Sequence, residues 1–143
     1  MKSVIINASP EVVFRALIDE TELTQWFSSE RTVLEPQVGG AWMVKNCRSD
    51  VGIIHTMRGK ILEIIQDKKL SYTWNVDEYP DIPETIATWI IELLDGGSRS
   101  EIKLVHSDLT HDFGDADRIW SYFIWRLVEH CKDKQSSDPR QPY

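Results

Sequence analysis

Cysteine is scarce in this chain: only Cys47 and Cys131 occur among its 143 residues. They form no Cys-x-x-Cys pair and give no disulfide framework, which argues against a disulfide-stapled secreted scaffold. A chain of this length buries roughly two-thirds of its unfolded surface on folding, so one domain needs no disulfide or metal for stability. We therefore expect a single domain with free thiols, in the reducing environment of the cytoplasm.

Positive charge is also scarce: the chain has 16 basic and 23 acidic residues, and its net charge is −7. Nucleic acid and anionic lipid are bound through clustered cations, so neither is an expected partner. No stretch approaches the roughly 20 apolar residues of a membrane span, and no signal-peptide pattern opens the sequence. The composition predicts a protein that binds neither nucleic acid nor membrane.

The short motifs of nucleotide and hydrolase chemistry are missing: there is no Gly-x-Ser-x-Gly, P-loop, His-Glu-x-x-His or Gly-x-Gly-x-x-Gly. One acidic stretch contains Asp108, His111, Asp112, Asp115 and Asp117. It lacks EF-hand spacing and has no second histidine at i+4, so helix capping and a solvated loop explain it better than a metal. We assign no catalytic residue, no metal and no cofactor, and an enzyme is the less favoured class.

Tryptophan, by contrast, is abundant, with six residues. Each indole buries a large area and carries one N–H donor, so several together shape a core or a pocket. This set predicts a functional site in the interior of the domain.

The first residues predict one strand and two short helices. Residues 4–6 are β-branched and read as a strand. Ser9 is a candidate N-cap and Pro10 suits the first helical position, where its missing N–H costs nothing. A second helix is expected to begin after Thr21 and to carry Leu23, Trp26 and Phe27.

From residue 32 to 106 the pattern becomes strands separated by turns. Residues 53–65 form a long β-rich run interrupted by Gly59, and Asp95-Gly96-Gly97 is a hairpin turn. Other expected strands cover residues 41–47, 70–74, 85–94 and 100–106.

The last predicted element is a helix that begins near Asp115. Its apolar stripe recurs at helical spacing from Ile119 to Cys131. We expect one domain over residues 1–134 and a polar tail over 135–143. The order of elements predicts an α+β fold in which a curved antiparallel sheet of about seven strands wraps around a long C-terminal helix.

Several segments, in this order and spacing, resemble one known superfamily. Residues 6–17 resemble its opening, and 38–40 its Gly-Gly turn; Trp26-Phe27, 59–64, 70–74 and 104–107 also match. Over roughly residues 3–131 the chain is similar to the START-like superfamily, and within it to bacterial proteins homologous to the activator of Hsp90 ATPase. It departs from that group at Ile119-Trp120, where Gly-Trp is common.

The resemblance implies the helix-grip fold and a hydrophobic cavity between sheet and C-terminal helix, because members bind lipids, polyketides, hormones or other apolar molecules. We therefore expect a binding protein for an apolar or aromatic small molecule. The candidate cavity residues are aromatic or apolar, with two strand histidines: Trp26, Phe27, Trp42, His55, Tyr72, Trp74, Trp89, His106, Trp120, Phe123, Ile124 and Leu127.

His106 shares strand parity with Ile102 and Leu104, so it should point inward. It is either a hydrogen-bonded core histidine or a polar anchor within the cavity; the facing of His55 is not assigned. Two alternatives stay open. One is a cyclase, dehydratase or hydrolase that uses the cavity, and the other is an interaction module, recognisable by an exposed apolar patch and a poorly open cavity. A homodimer and a chaperone partner also stay open.

Overall fold

The computed structural model describes residues 2–27, 29–48, 53–78, 80–81, 83–107 and 116–136. Seven strands form one antiparallel sheet in the order β1-β7-β6-β5-β4-β3-β2. The strands are β1 (Lys2–Ile6), β2 (Ser29–Leu34), β3 (Ala41–Arg48), β4 (Ile53–Ile65), β5 (Lys69–Val76), β6 (Thr85–Leu94) and β7 (Arg99–Ser107). The helices are α1 (Pro10–Ile18), α2 (Glu20–Trp26) and α3 (Ala116–Ser136). The predicted α+β class with two short helices and a long last helix is confirmed.

Local chemistry sets the start of both short helices. The Ser9 side chain accepts from the Val12 amide and Pro10 follows at the first helical position, as predicted. The second helix begins earlier than predicted, at Glu20, because the Asp19 carboxylate accepts from the Glu22 amide at 3.0 Å. Asp19 thereby ends α1 and caps α2, so the two helices share one corner.

The long β-rich run predicted over residues 53–65 is confirmed as β4, although the strand passes without a break through Gly59, which was expected to interrupt it. A Cβ at position 59 would lie 1.8 Å from the Thr73 carbonyl oxygen on β5, which explains the glycine. The irregularity comes two residues later, where the β4–β5 register shifts between Ile61 and Glu63. A shift of this kind is a β-bulge, and it bends the strand.

The hairpin between β6 and β7 matches its prediction closely. Asp95, Gly96 and Gly97 all have positive φ, and the first two lie in the left-handed region that short turns use. The Asp95 carboxylate pairs with Arg99 across the turn. The turn fixes the register in which Ala87 faces His106 and Trp89 faces Leu104.

One long helix and two short ones cover the inner face of the sheet. Helix α3 buries Phe123, Leu127 and Cys131, which are four positions apart, and leaves Trp125 more than half exposed. The core formed with the sheet contains side chains from each of β1 to β7 and from each helix. Asp115, where the helix was expected to begin, lies outside the described residues, as do positions 137–143 of the expected tail.

Candidate functional site

Aromatic side chains gather where α2, β3, β5 and β6 meet on the inner face. The Trp26 ring lies 4.6 Å from Phe27 and 6.2 Å, edge-on, from Trp89. The rings of Trp42 and Tyr72 lie 4.3 Å apart. We call these five residues the aromatic cluster; each is at most 5% exposed.

Each indole of the aromatic cluster donates one hydrogen bond. Trp26 donates to the Ala16 carbonyl at 2.7 Å, and Trp42 to the Thr73 carbonyl at 2.9 Å. Trp89 donates to the Tyr72 hydroxyl at 2.9 Å. Burial raises the pKa of the Tyr72 phenol, so it stays protonated in the neutral range. The rings are therefore fixed in orientation as well as packed.

Little free space remains beside the aromatic cluster. The gap has a volume of about 10 Å³ and is lined by residues of α1, α2 and the sheet. That is about the room that one water molecule needs, whereas a drug-sized ligand occupies a pocket of roughly 300–1,000 Å³. In the described conformation this part of the interior is filled by its own side chains.

A second group of side chains, which includes a threonine and a histidine, lies near the end of β5, the start of β6 and the end of β7. The Thr85 hydroxyl and His106 Nε2 are 2.6 Å apart, and the Trp74 ring stands edge-on to the imidazole at 4.7 Å. Trp74 opposes Thr85 in the β5–β6 register. We call Trp74, Thr85 and His106 the polar trio.

The polar trio holds an uncharged histidine. Burial lowers the pKa of His106 to about 4, because desolvation disfavours the imidazolium. At neutral pH the ring is therefore a neutral donor and acceptor on a face that is otherwise largely apolar. Thr85 is 2% exposed while His106 is half-buried, so the imidazole is the accessible member of the pair.

Helices α2 and α3 are joined by a polar seam. The Arg126 guanidinium donates to the carbonyls of Trp26 at 2.7 Å and Gln25 at 3.1 Å, which caps the C-terminus of α2. His130 Nε2 lies 3.0 Å from the Glu22 carboxylate. Cys131 follows on α3, and burial, with a smaller contribution from Glu22, raises the pKa of its thiol to about 12.

The structure separates the predicted cavity residues into groups. Trp26, Phe27, Trp42, Tyr72 and Trp89 form the aromatic cluster, and Trp74 and His106 belong to the polar trio. On α3, Phe123 lies 4.3 Å from the Phe27 ring, Leu127 is buried, and Ile124 packs partly buried against the core. The backbone positions of His55 and Trp120 are described, but their side chains lie outside the description, as do residues 108–115 of the acidic stretch.

Some lining residues escaped the sequence-based prediction. The gap beside the aromatic cluster is also lined by Leu17, Leu23, Leu34, Ile61 and Leu70. Thr85 was missed as well, although its parity with Ala87 and Trp89 on β6 could have placed it inward. Among the described residues, no group of three or more acidic, histidine or cysteine side chains could hold a metal ion.

Comparison with known protein families identifies the family of this chain. The family model described as activator of Hsp90 ATPase homolog 1-like protein matches residues 7–130. This protein belongs to that family, as the resemblance implied. A search among curated proteins gives no match.

Solved structures share the fold. A Chromobacterium violaceum protein is 20% identical, with a TM-score of 0.75 over 92% of this chain and 99% of its own. The Aha1 dimer from Colwellia psychrerythraea is 20% identical, with a TM-score of 0.72 over 91% and 92%. An HSP90 activator from Plasmodium falciparum is 20% identical, with a TM-score of 0.61 over 73% and 69%. In the part of the chain that is described, no helix is long and apolar enough to span a bilayer.

Proposed function

We propose that this protein binds a small apolar or aromatic molecule against the inner face of its sheet, at the polar trio. Small-molecule sites combine apolar walls with a few polar groups that fix orientation. The observation that carries the proposal is the half-buried, neutral His106, held by Thr85 at 2.6 Å beside the edge-on Trp74 ring. Its lowered pKa is the kind of perturbation that marks functional sites.

The filled aromatic cluster favours the polar trio as the binding position. A ligand beside Trp89 and Tyr72 would have to displace packed side chains from a gap of about 10 Å³. His106 is less enclosed than the cluster, and it lies near the end of β7. The proposed binding position therefore lies further along the strands than the aromatic cluster, away from α2.

The charge state of the trio defines the ligand class. A neutral imidazole recognises a hydroxyl, carbonyl or amine through hydrogen bonds, but it offers no positive charge to a carboxylate. The net charge of −7 also disfavours anions. The proposed ligand is a neutral aromatic or alicyclic molecule with one hydrogen-bonding group.

Two measurements test this proposal. Native mass spectrometry of protein purified from its own host would reveal a bound molecule. Titration with 1-naphthol and with naphthalene, followed by tryptophan emission, should give tighter binding of the naphthol. His106→Leu should remove that preference, while Lys103→Met, on the opposite face of the same strand, should leave it unchanged. Absence of binding across a broad neutral aromatic panel would contradict the proposal.

A second candidate function is a protein interaction of the Hsp90-activator type. Family membership and the similarity to an HSP90 activator support it. So does the small gap, together with large apolar side chains exposed at Ile5, Val38, Leu62, Ile65, Leu93 and Trp125.

The interaction is tested with purified Hsp90, whose steady-state ATPase rate should rise when the chain is added. Leu93→Ser and Trp125→Ser should weaken the effect if those surfaces bind the chaperone. Sedimentation equilibrium would test the homodimer suggested by the Colwellia relative. An unchanged ATPase rate at saturating protein would rule out stimulation of this kind.

A further inference from the structure

The gap beside the aromatic cluster has two walls of different character. One wall is the sheet, whose neighbouring strands are hydrogen-bonded to each other, with a register shift between Ile61 and Glu63 on β4. The other consists of Leu17 on α1 and of Leu23, Trp26 and Phe27 from α2 and its C-cap. What fills this part of the interior therefore depends largely on where α2 sits.

Helix α2 is short and depends on its surroundings. Seven residues make two turns, and isolated helices below about 12 residues are marginal in water. Its N-terminal corner is Asp19, an extended residue that also ends α1. Helix α2 is fastened to α3 by Arg126 and by the Glu22–His130 pair.

We infer that α2 is a hinged cover and that the polar seam is its latch. When Arg126 and His130 release α2, rotation about Asp19 breaks the Trp26–Ala16 hydrogen bond and withdraws Trp26 and Phe27 from the inner face. The vacated volume becomes a second binding chamber, floored by Trp42, Tyr72 and Trp89. The seam thus controls access to a chamber that the described conformation keeps closed.

The chamber floor defines what it would take. Its indole and phenol groups already use their polar atoms on each other or on the backbone, as the Trp89–Tyr72 and Trp42–Thr73 bonds illustrate. The surface offered to a ligand is then mainly ring faces, which suits a flat, neutral aromatic molecule without a strong polar group. This ligand class is related to that of the proposed function, but the chamber and its latch do not involve the polar trio.

Closure by side chains has a measurable consequence. For a ligand that binds only the open form, the apparent dissociation constant equals the intrinsic dissociation constant divided by the open fraction. Amide exchange in α2 also proceeds through that open fraction when reclosing is fast. Any variant that loosens the seam should therefore raise α2 exchange and probe affinity by the same factor.

The experiment uses the full chain, hydrogen exchange read by mass spectrometry, and 1,6-diphenyl-1,3,5-hexatriene as a neutral hydrocarbon fluorescent probe. Arg126→Met keeps the aliphatic stem and removes the bonds to the Gln25 and Trp26 carbonyls. Loss of charge-assisted hydrogen bonds should speed α2 exchange roughly tenfold and tighten probe binding by the same factor. Arg58→Met, which breaks the Arg58–Asp77 pair on the other face, is the control and should change neither.

Glu22→Gln provides a second loosened latch in case Arg126→Met does not fold. Trp26→Ala, which shortens the side chain that fills the chamber, should bind the probe tightly even though its polar seam is intact. The inference is overturned if α2 exchange rises while probe affinity stays constant, if exchange rises equally across the sheet, or if neither quantity changes. His106→Leu separates the two sites, because it should alter naphthol preference and leave the α2 exchange rate unchanged.

Discussion

The indole of Trp89 on β6 donates a 2.9 Å hydrogen bond to the hydroxyl of Tyr72 on β5, and both rings are buried on the inner face. The two residues are offset diagonally in the β5–β6 register, where Trp89 opposes Leu70 and Tyr72 opposes Ala87. Diagonal neighbours lie within reach of long aromatic side chains. This bond fixes two rings of the aromatic cluster relative to each other.

Tyr72→Phe should therefore destabilise the protein by roughly 1–2 kcal/mol, because it deletes a buried hydrogen-bond partner while keeping the ring. Urea unfolding followed by circular dichroism gives the free energy of unfolding. A double-mutant cycle with Trp89→Phe should show coupling of about 1 kcal/mol between the two residues. Additive effects of the two substitutions would mean that the bond contributes nothing of its own.

Gly59 should not tolerate a side chain. In Gly59→Ala the Cβ would meet the Thr73 carbonyl, which also accepts from the Trp42 indole, so the β4–β5 contact must open. We expect a loss of about 2–3 kcal/mol or more, measured as a lower urea midpoint. Gly96→Ala is a matched control, since its Cβ meets nothing within 4 Å and only its φ of +69° is strained. The control should cost roughly 1–2 kcal/mol, and an equal or larger loss there would contradict the steric explanation.

His106 should make stability depend on pH in a defined window. The unfolded chain protonates this histidine near pH 6.5, whereas the folded chain does so only near pH 4. The unfolded state binds more protons between those values, so stability falls as the pH drops through the window and is unaffected above it. The full difference corresponds to about 3 kcal/mol, which partial solvent access reduces to roughly 1–2 kcal/mol.

The matching measurement compares wild type with His106→Gln by urea unfolding at pH 7.5 and pH 4.5. The variant should lose less stability than wild type between the two pH values, by the stated amount. Carboxylates and the remaining histidines contribute to both proteins and cancel in the difference. Parallel pH profiles for the two proteins would show that His106 is not kept neutral by burial.

The Cys131 thiol should be unreactive in the native protein. It is fully buried, and its pKa is raised to about 12, so almost no thiolate exists at pH 8. In a Cys47→Ser background, Ellman's reagent should label no thiol until guanidinium unfolds the chain, and then one thiol per molecule. Rapid labelling of the folded protein would indicate that the C-terminal half of α3 opens readily.

The sequence alone determined the order and type of most elements, because their signals are local, although it gave no bounds for β2 (Ser29–Leu34). The Ser9-Pro10 helix start, the Asp95-Gly96-Gly97 turn and the alternation that turns His106 inward with Ile102 and Leu104 each depend on a few neighbouring residues. The ordered short motifs also pointed to the family, which the match over residues 7–130 confirms. Even the missed start of α2 was a local matter, since the Asp19 cap is visible in the sequence.

Only the tertiary structure decided which inward side chains meet. The sequence grouped twelve candidates into one cavity, but the strand register and the bulge near Ile61 divide several of them into a filled aromatic cluster and a polar trio. The partners Thr85 and His106 are 21 positions apart, and Glu22 and His130 are 108 apart. Periodicity assigns each side chain to a face of its own strand or helix, whereas contacts between distant elements depend on how the strands and helices pack together.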